Sequence, residues 1–181
     1  MSGYFEIGIY NGKAEVNIGT LWRSAYQLGA AGIFTIGRRY SQQASDTTKA
    51  YRHVPLRNFA NFDEFSIARP YGAVLVGIEM SGKPLSEFTH PKQCVYLLGA
   101  EDNGLPASVL EKCQHVISLE AVNQLSYNVA VAGSLVMYHR VVFQRSNTGC
   151  TRQRVGSGKI ELPTPEFLSA LESESAPTLC G

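Results

Sequence analysis

Residues 4–37 read YFEIGIYNGKAEVNIGTLWRSAYQLGAAGIFTIG, and the fold class follows from them. Tyr4 to Tyr10 alternate aromatic and branched side chains with small or polar ones, the period of two expected of a strand. The period then changes. Ile18, Leu21, Trp22, Ala25 and Leu28 recur three and four apart, which places them on one buried face of a helix, and Asn17 stands where a cap would accept a backbone N–H. Gly32 to Gly37 is a second short β-rich run, so the segment predicts strand, helix, strand.

The same alternation continues outward. Ala73 to Glu79 and Gln93 to Gly99 are apolar runs of buried-strand length, separated by a short helical or turn segment from Pro84 to Phe88. Pro106 suits a first helical position; Ala107 to Cys113 carry that helix towards a strand at His115 to Leu119. A long helix is predicted from about Ser126 to Gln144, with Val129, Ala132, Leu135, Val136 and Val142 on its apolar side and Val131 and Val141 on another, to be buried within the domain or covered by a partner. Strands alternating with helices imply an α/β fold: a parallel sheet covered on both faces, binding ligands beyond the carboxyl ends of its strands. Residues 38–60 read as one long loop. Residues 1–145 are expected to form the domain and 146–181, rich in Ser, Thr, Gly, Pro and charge, a mobile or loosely docked tail.

At 181 residues, 44% hydrophobic and 17% charged, the chain can bury one sizeable core. No apolar run approaches the roughly 20 residues of a membrane helix, and no signal-peptide pattern opens the sequence, so the cytoplasm is the expected compartment. Cys94, Cys113, Cys150 and Cys180 form no C-x-x-C pair and the four histidines lack metal-ligand spacing, so no metal is expected. The net charge of +1 hides two basic stretches. Arg38, Arg39, Lys49, Arg52 and Arg57 are opposed only by Asp46, while Arg140, Arg145, Arg152, Arg154 and Lys159 have no acid among them. Brought together they would make a phosphate-binding footprint; left apart they are solvated surface.

Neither a P-loop, a G-x-G-x-x-G nor a G-x-S-x-G elbow is present, which disfavours nucleotide hydrolysis, dinucleotide binding and serine-hydrolase chemistry. Three polar clusters remain, each at the boundary of an element. The first contains Asn17, Gly19 and Arg23; the last two share a helix face, and the arginine offers a forked contact to a phosphate. Taken alone, an ordinary cap followed by a surface arginine is the simpler account. In the second, Gly99, Glu101, Gly104 and Leu105 lie between a buried strand and a helix; a plain turn accounts for all but Glu101. The third is Ser126, Asn128, Val129, Ala130 and Ala132. Here Ser126 would cap the long helix, with Asn128 projecting from its first turn.

In this order and separation the clusters N-x-G-x-x-x-R, G-x-E-x-x-G-L and S-x-N-V-A-x-A resemble the SpoU/TrmH family of RNA 2′-O-methyltransferases, within the SPOUT class, over residues 4–143. Ile117-Ser118-Leu119 stands where the family usually has Ile-Pro-Met. The resemblance implies a deep C-terminal trefoil knot, and S-adenosylmethionine held near Ile78, Gly99, Ile117 and Leu119 and closed over by Leu125 and Ser126. It implies Arg23 as the catalytic arginine, supported by Asn17, Glu101, Ser126 and Asn128, and a homodimer through the knot and the 126–144 helix. Its minimal single-domain members favour tRNA over rRNA as substrate, with Arg38, Arg39 and Arg52 as candidate RNA contacts. A catalytically inactive RNA-binding relative and a base-methylating enzyme of the same class are the alternatives.

Overall fold

The computed structural model describes residues 3–38, 49–123 and 125–147, with the side chains of 145–147 left undescribed. Residues 148–181 of the predicted tail, Arg39 and the last basic residues therefore lie outside the described part, while 146 and 147 belong to a helix. Six strands, β1 (Phe5–Tyr10), β2 (Gly32–Ile36), β3 (Leu56–Phe59), β4 (Val74–Pro84), β5 (Cys94–Leu98) and β6 (His115–Ser118), form one sheet in the order β3-β2-β1-β5-β4-β6, paired in parallel throughout. Four helices accompany it: α1 (Glu15–Leu28), α2 (Phe62–Ala68), α3 (Ala107–Leu110) and α4 (Val129–Asn147).

The period of two in the strands sorts their side chains to two cores. Phe5, Ile7 and Ile9 of β1 and Cys94, Tyr96 and Leu98 of β5 join Ile18, Leu21, Trp22 and Ala25 of α1 and Val129, Ala132 and Val136 of α4 on one face. Val95 and Leu97 turn to the other face, against Phe62 and Phe65 of α2 and Leu105 and Val109 at α3. Burial on both sides explains the near-continuous apolar strands. Among the described residues, no helix is long and apolar enough to cross a membrane.

Three expectations are corrected. The segment after residue 48 is more than a loop: it holds a single helical turn (Ala50–Arg52) and strand β3, followed by α2. Short and half-buried, β3 gave too few alternating residues to read. The long helix starts at Val129 rather than Ser126. Around it Leu135 and Val142 are 40% and 42% exposed, joining Val131 and Tyr138 in an outward apolar stripe, while Val141 is half-buried.

Candidate functional site

The strand order reverses beside β1, whose neighbours are β2 and β5. Loops leaving the carboxyl ends of such strands diverge and open a crevice. There the 99–105 loop after β5 meets the start of α1. Ala14 occupies the cap position of α1 and makes no side-chain cap bond. Glu101 supplies that function from afar: one carboxylate oxygen accepts from the backbone N–H of Lys13 at 3.3 Å. Its other oxygen accepts from the side-chain amide of Asn17 at 2.6 Å. Partial burial works to raise the Glu101 pKa, but its own backbone N–H, Asn17, and the Lys13 and Ala14 N–H groups outweigh it and hold the carboxyl below its usual range. An anion at a helix N-terminus is favoured in addition by the helix dipole.

Asn17 is therefore not the cap of α1. It lies inside the first turn, 6% exposed, with its Oδ1 accepting from the Nδ2 of Asn128 at 3.1 Å. Asn128 does what Ser126 was expected to do: its Oδ1 accepts from the backbone N–H of Ala130 at 3.0 Å and caps α4. Glu101, Asn17 and Asn128, one from each sequence cluster, thus form a single hydrogen-bonded chain. Asp102 next to it pairs with Lys13, and Arg38 donates to the Lys13 carbonyl at 3.1 Å.

Beside this chain, beyond the ends of β4, β5 and β6, is a cleft of about 550 Å³. Ile78, Gly99, Leu119, Leu125 and Ser126 line it, as do Glu101, Ser118 and Val129. Ile117 does not: at 1% exposure its side chain belongs to the core, while Ser118 and Leu119, at and just beyond the end of β6, reach the cleft. Glu79, Asn123 and Tyr127 also line the cleft and were not anticipated; no motif in the sequence marked them. Glu79 fixes the opposite wall by accepting from the Leu105 N–H at 2.9 Å.

Gly99 is required by its own loop. A Cβ there would sit 2.2 Å from the carbonyl carbon of Gly104, since Ala100 and Gly104 bridge back on one another. Gly104, at φ +60°, takes the left-handed conformation that closes the loop.

Arg23 stands apart from the cleft. Since α1 begins at Glu15, this arginine is two turns into the helix rather than at its N-terminal end, and it is exposed. Its position is turned about 120° around the helix from Asn17. Arg52 is exposed over the Tyr51 ring at 5.9 Å. Two members of the basic stretches are withdrawn from any surface footprint. Arg57 pairs with buried Glu6, and Arg140 is fully buried, donating to the carbonyls of Pro91 and Lys92 at 2.8 and 3.1 Å. No group of three or more His, Cys, Asp or Glu placed to hold a metal occurs among the described residues.

Comparison with known proteins places the chain in a family. A protein of Staphylococcus saprophyticus named to the TrmH family of tRNA/rRNA methyltransferases is 28% identical over 138 residues, covering 72% of this chain and 55% of that protein. YacO of Bacillus subtilis, named to the same family, matches to the same extent. The chain thus spans about half the length of the curated relatives it matches. Among solved structures, the SpoU methyltransferase AviRb of Streptomyces viridochromogenes in complex with AdoMet superposes with a TM-score of 0.71 at 23% identity, over 81% of this chain and 62% of that one. A structure described as giving insight into 2-OH methylation of C/U34 on tRNA superposes at 0.68 with 26% identity, over 83% of this chain and 100% of that one. The pattern of the SpoU rRNA methylase family matches residues 5–138, which include all three clusters, and the chain belongs to that family.

Proposed function

We propose that this chain is an S-adenosylmethionine-dependent RNA methyltransferase that modifies a ribose 2′-hydroxyl, of tRNA in preference to rRNA, and that it acts in the cytoplasm as a homodimer. The observation that carries the reading is the Glu101–Asn17–Asn128 chain, which gathers the three clusters at the edge of one cleft. The protein with 2-OH methylation of C/U34 on tRNA in its description, matched along its whole length, supports the ribose and tRNA parts.

The cleft fits the cofactor. Its volume of about 550 Å³ lies within the range of small-molecule sites. One side is apolar (Ile78, Leu98, Leu119), the other is the backbone of the 99–104 loop, and carboxylates of Glu79, Glu101 and Asp102 suit a positively charged sulfonium. In this reading Ile78, Gly99, Leu119, Leu125 and Ser126 hold S-adenosylmethionine, which supplies an already activated methyl group.

The protein's remaining work is to align the hydroxyl and let its proton leave. Asn17 and Asn128 are fixed in orientation by Glu101 and position the ribose. Arg23 grips the RNA phosphate; a guanidinium stays protonated, so a phosphate oxygen or solvent receives the proton. With Arg23 turned away from Asn17 on α1, the dimer supplies it from the partner's α1 to the neighbouring cleft. The outward stripe Val131, Leu135, Tyr138 and Val142 of α4, 40–57% exposed, is the surface such a dimer would cover. A C-terminal trefoil knot belongs to the same proposal, supported by family membership.

The test is incubation with methyl-labelled S-adenosylmethionine and either bulk tRNA or rRNA, followed by nucleoside mapping. Label in 2′-O-methylnucleosides of tRNA is expected; label confined to base-methylated nucleosides would overturn the ribose assignment.

A further inference from the structure

Gly19, Arg23 and Tyr26 follow one another along the exposed ridge of α1 at spacings of four and three. Against the end of this ridge, His53 lays its ring on that of Tyr26, with centroids 4.6 Å apart and planes 20° from parallel. His53 is exposed, and Tyr26 is 37% exposed. The pair does not sit on a loose loop. Trp22 donates its indole N–H to the Val54 carbonyl at 2.7 Å, and Ala50 and Val54 are 1% and 3% exposed within the core. The turn carrying His53 is therefore fixed to the helix carrying Tyr26.

From residue 49 to 60 every charged side chain is basic. Lys49 and Arg52 flank His53, and Arg23 precedes Tyr26 by one turn. Arg57, the other cation of that stretch, is consumed by Glu6. Flat aromatic faces rimmed by cations are what single-stranded nucleic acid requires: each base has a π-face to stack and each step a phosphate to neutralise. Neighbouring ridge positions lie about 5–6 Å apart, so a phosphate at Arg23 brings an adjoining base over the rings.

We propose that the Tyr26–His53 pair, rimmed by Arg23, Arg52 and Lys49, is a base-stacking platform for a nucleotide adjoining the one to be modified. The proposal rests on the RNA-directed reading above and adds to it a binding surface outside the cleft.

Its test is fluorescence anisotropy with a labelled oligouridylate of about 16 nucleotides, long enough for one binding site. Tyr26→Leu and His53→Leu keep apolar cover but remove the ring, and each should weaken binding about tenfold, the loss expected of one stacked base. Tyr26→Phe should bind like wild type, and affinity for S-adenosylmethionine should stay the same in all three. Arg52→Gln should lower the slope of log affinity against log salt by about one, a change the ring variants do not show. Wild-type affinity in both Leu variants overturns the platform. So does a Tyr26→Phe loss equal to that of Tyr26→Leu, or losses matched by a lower thermal midpoint in circular dichroism. Methyl transfer to tRNA is measured on wild type in parallel. Transfer with undiminished binding by the ring variants sinks the platform alone, whereas wild type that methylates no RNA sinks the activity reading.

Discussion

Asn128 donates its side-chain amide to the Oδ1 of Asn17 at 3.1 Å, and this direction is imposed from the far end of the chain. Glu101, as a carboxylate, can only accept, so Asn17 must turn its NH₂ to it and leave Oδ1 for Asn128. Asn128 in turn has its own oxygen free to cap α4. Asn128→Asp keeps the capping oxygen but sets a carboxylate against the Asn17 oxygen. Methyl transfer should fall by two orders of magnitude or more, a barrier of about 3 kcal/mol. Asn128→Ala, lacking the cap too, should cost about 1–2 kcal/mol in urea unfolding as well. Normal transfer by Asn128→Asp would refute the positioning role.

The 99–105 loop gives a second prediction. A Cβ at Gly99 would be 2.2 Å from backbone at Gly104, and backbone cannot step aside as a side chain can. Gly99→Ala must therefore reopen the turn, moving Glu101 away from the α1 N-terminus. Affinity for S-adenosylmethionine, read by calorimetry, should drop at least tenfold, while far-ultraviolet circular dichroism stays close to wild type because the strands are untouched. Unchanged affinity would mean the loop does not form the cofactor wall.

These residues also show what sequence could and could not convey. The strand-helix-strand reading of residues 4–37 holds because three- and four-residue spacing in Ile18, Leu21, Trp22 and Ala25 is a direct image of burial on one face. The sheet and its two cores followed. The cap assignment at Asn17 failed because Glu101, 84 residues away, fixes the start of α1 from outside, and no local pattern reports a long-range acceptor; that at Ser126 failed because α4 begins at Val129, where Asn128 is the local cap. Burial of the Ile117 side chain was not legible, because which side a strand residue faces depends on register with β4, which is set in three dimensions. The basic stretches misled at Arg57 and Arg140, whose partners, Glu6 and the Pro91 and Lys92 carbonyls, are remote in sequence.

The outward stripe of α4 yields a prediction about assembly. Leu135 and Tyr138 are 40% and 57% exposed, one turn apart, and away from the core face of Val136 and Met137. A charge there costs the folded monomer little but is expensive once desolvated in an interface. Leu135→Glu combined with Tyr138→Glu should sediment as a monomer with unaltered helical content, and should lose methyl transfer if Arg23 comes from the partner. Mixing an Arg23→Ala protein with a Gly99→Ala protein should then restore part of the activity, since a mixed dimer holds one site with both groups intact. No recovery, with mixed dimers demonstrated, would place Arg23 and the cleft in the same protomer.

Under the C-terminal half of α4, a directed chain of hydrogen bonds gives a prediction in pH. Arg140 donates to the Tyr96 hydroxyl at 3.2 Å, Tyr96 bonds the Nδ1 of His90, and the Nε2 of His90 lies 2.8 Å from the Nδ1 of His139. With Tyr96 donating to Nδ1 of the neutral His90 ring, His90 donates from Nε2 to His139. Burial, reinforced by His139 and Arg140, pushes His90 down to about 3, so the folded protein keeps it neutral. The unfolded chain protonates the same ring below about 6.5 and binds the extra proton. Stability from this group is thus complete above that value and is lost as pH falls from there towards 3, by at most about 1.4 kcal/mol per pH unit. The depressed carboxyls of Glu101, Asp102 and Glu120 act with the same sign, but their contribution is lost at lower pH, as the unfolded carboxyls begin to protonate. Urea midpoints measured from pH 7.5 to 5.5 should therefore fall more steeply in wild type than in His90→Phe, which fills the site with a ring that cannot titrate. Parallel falls would show that His90 takes up its proton equally in both states and that the buried chain tolerates it.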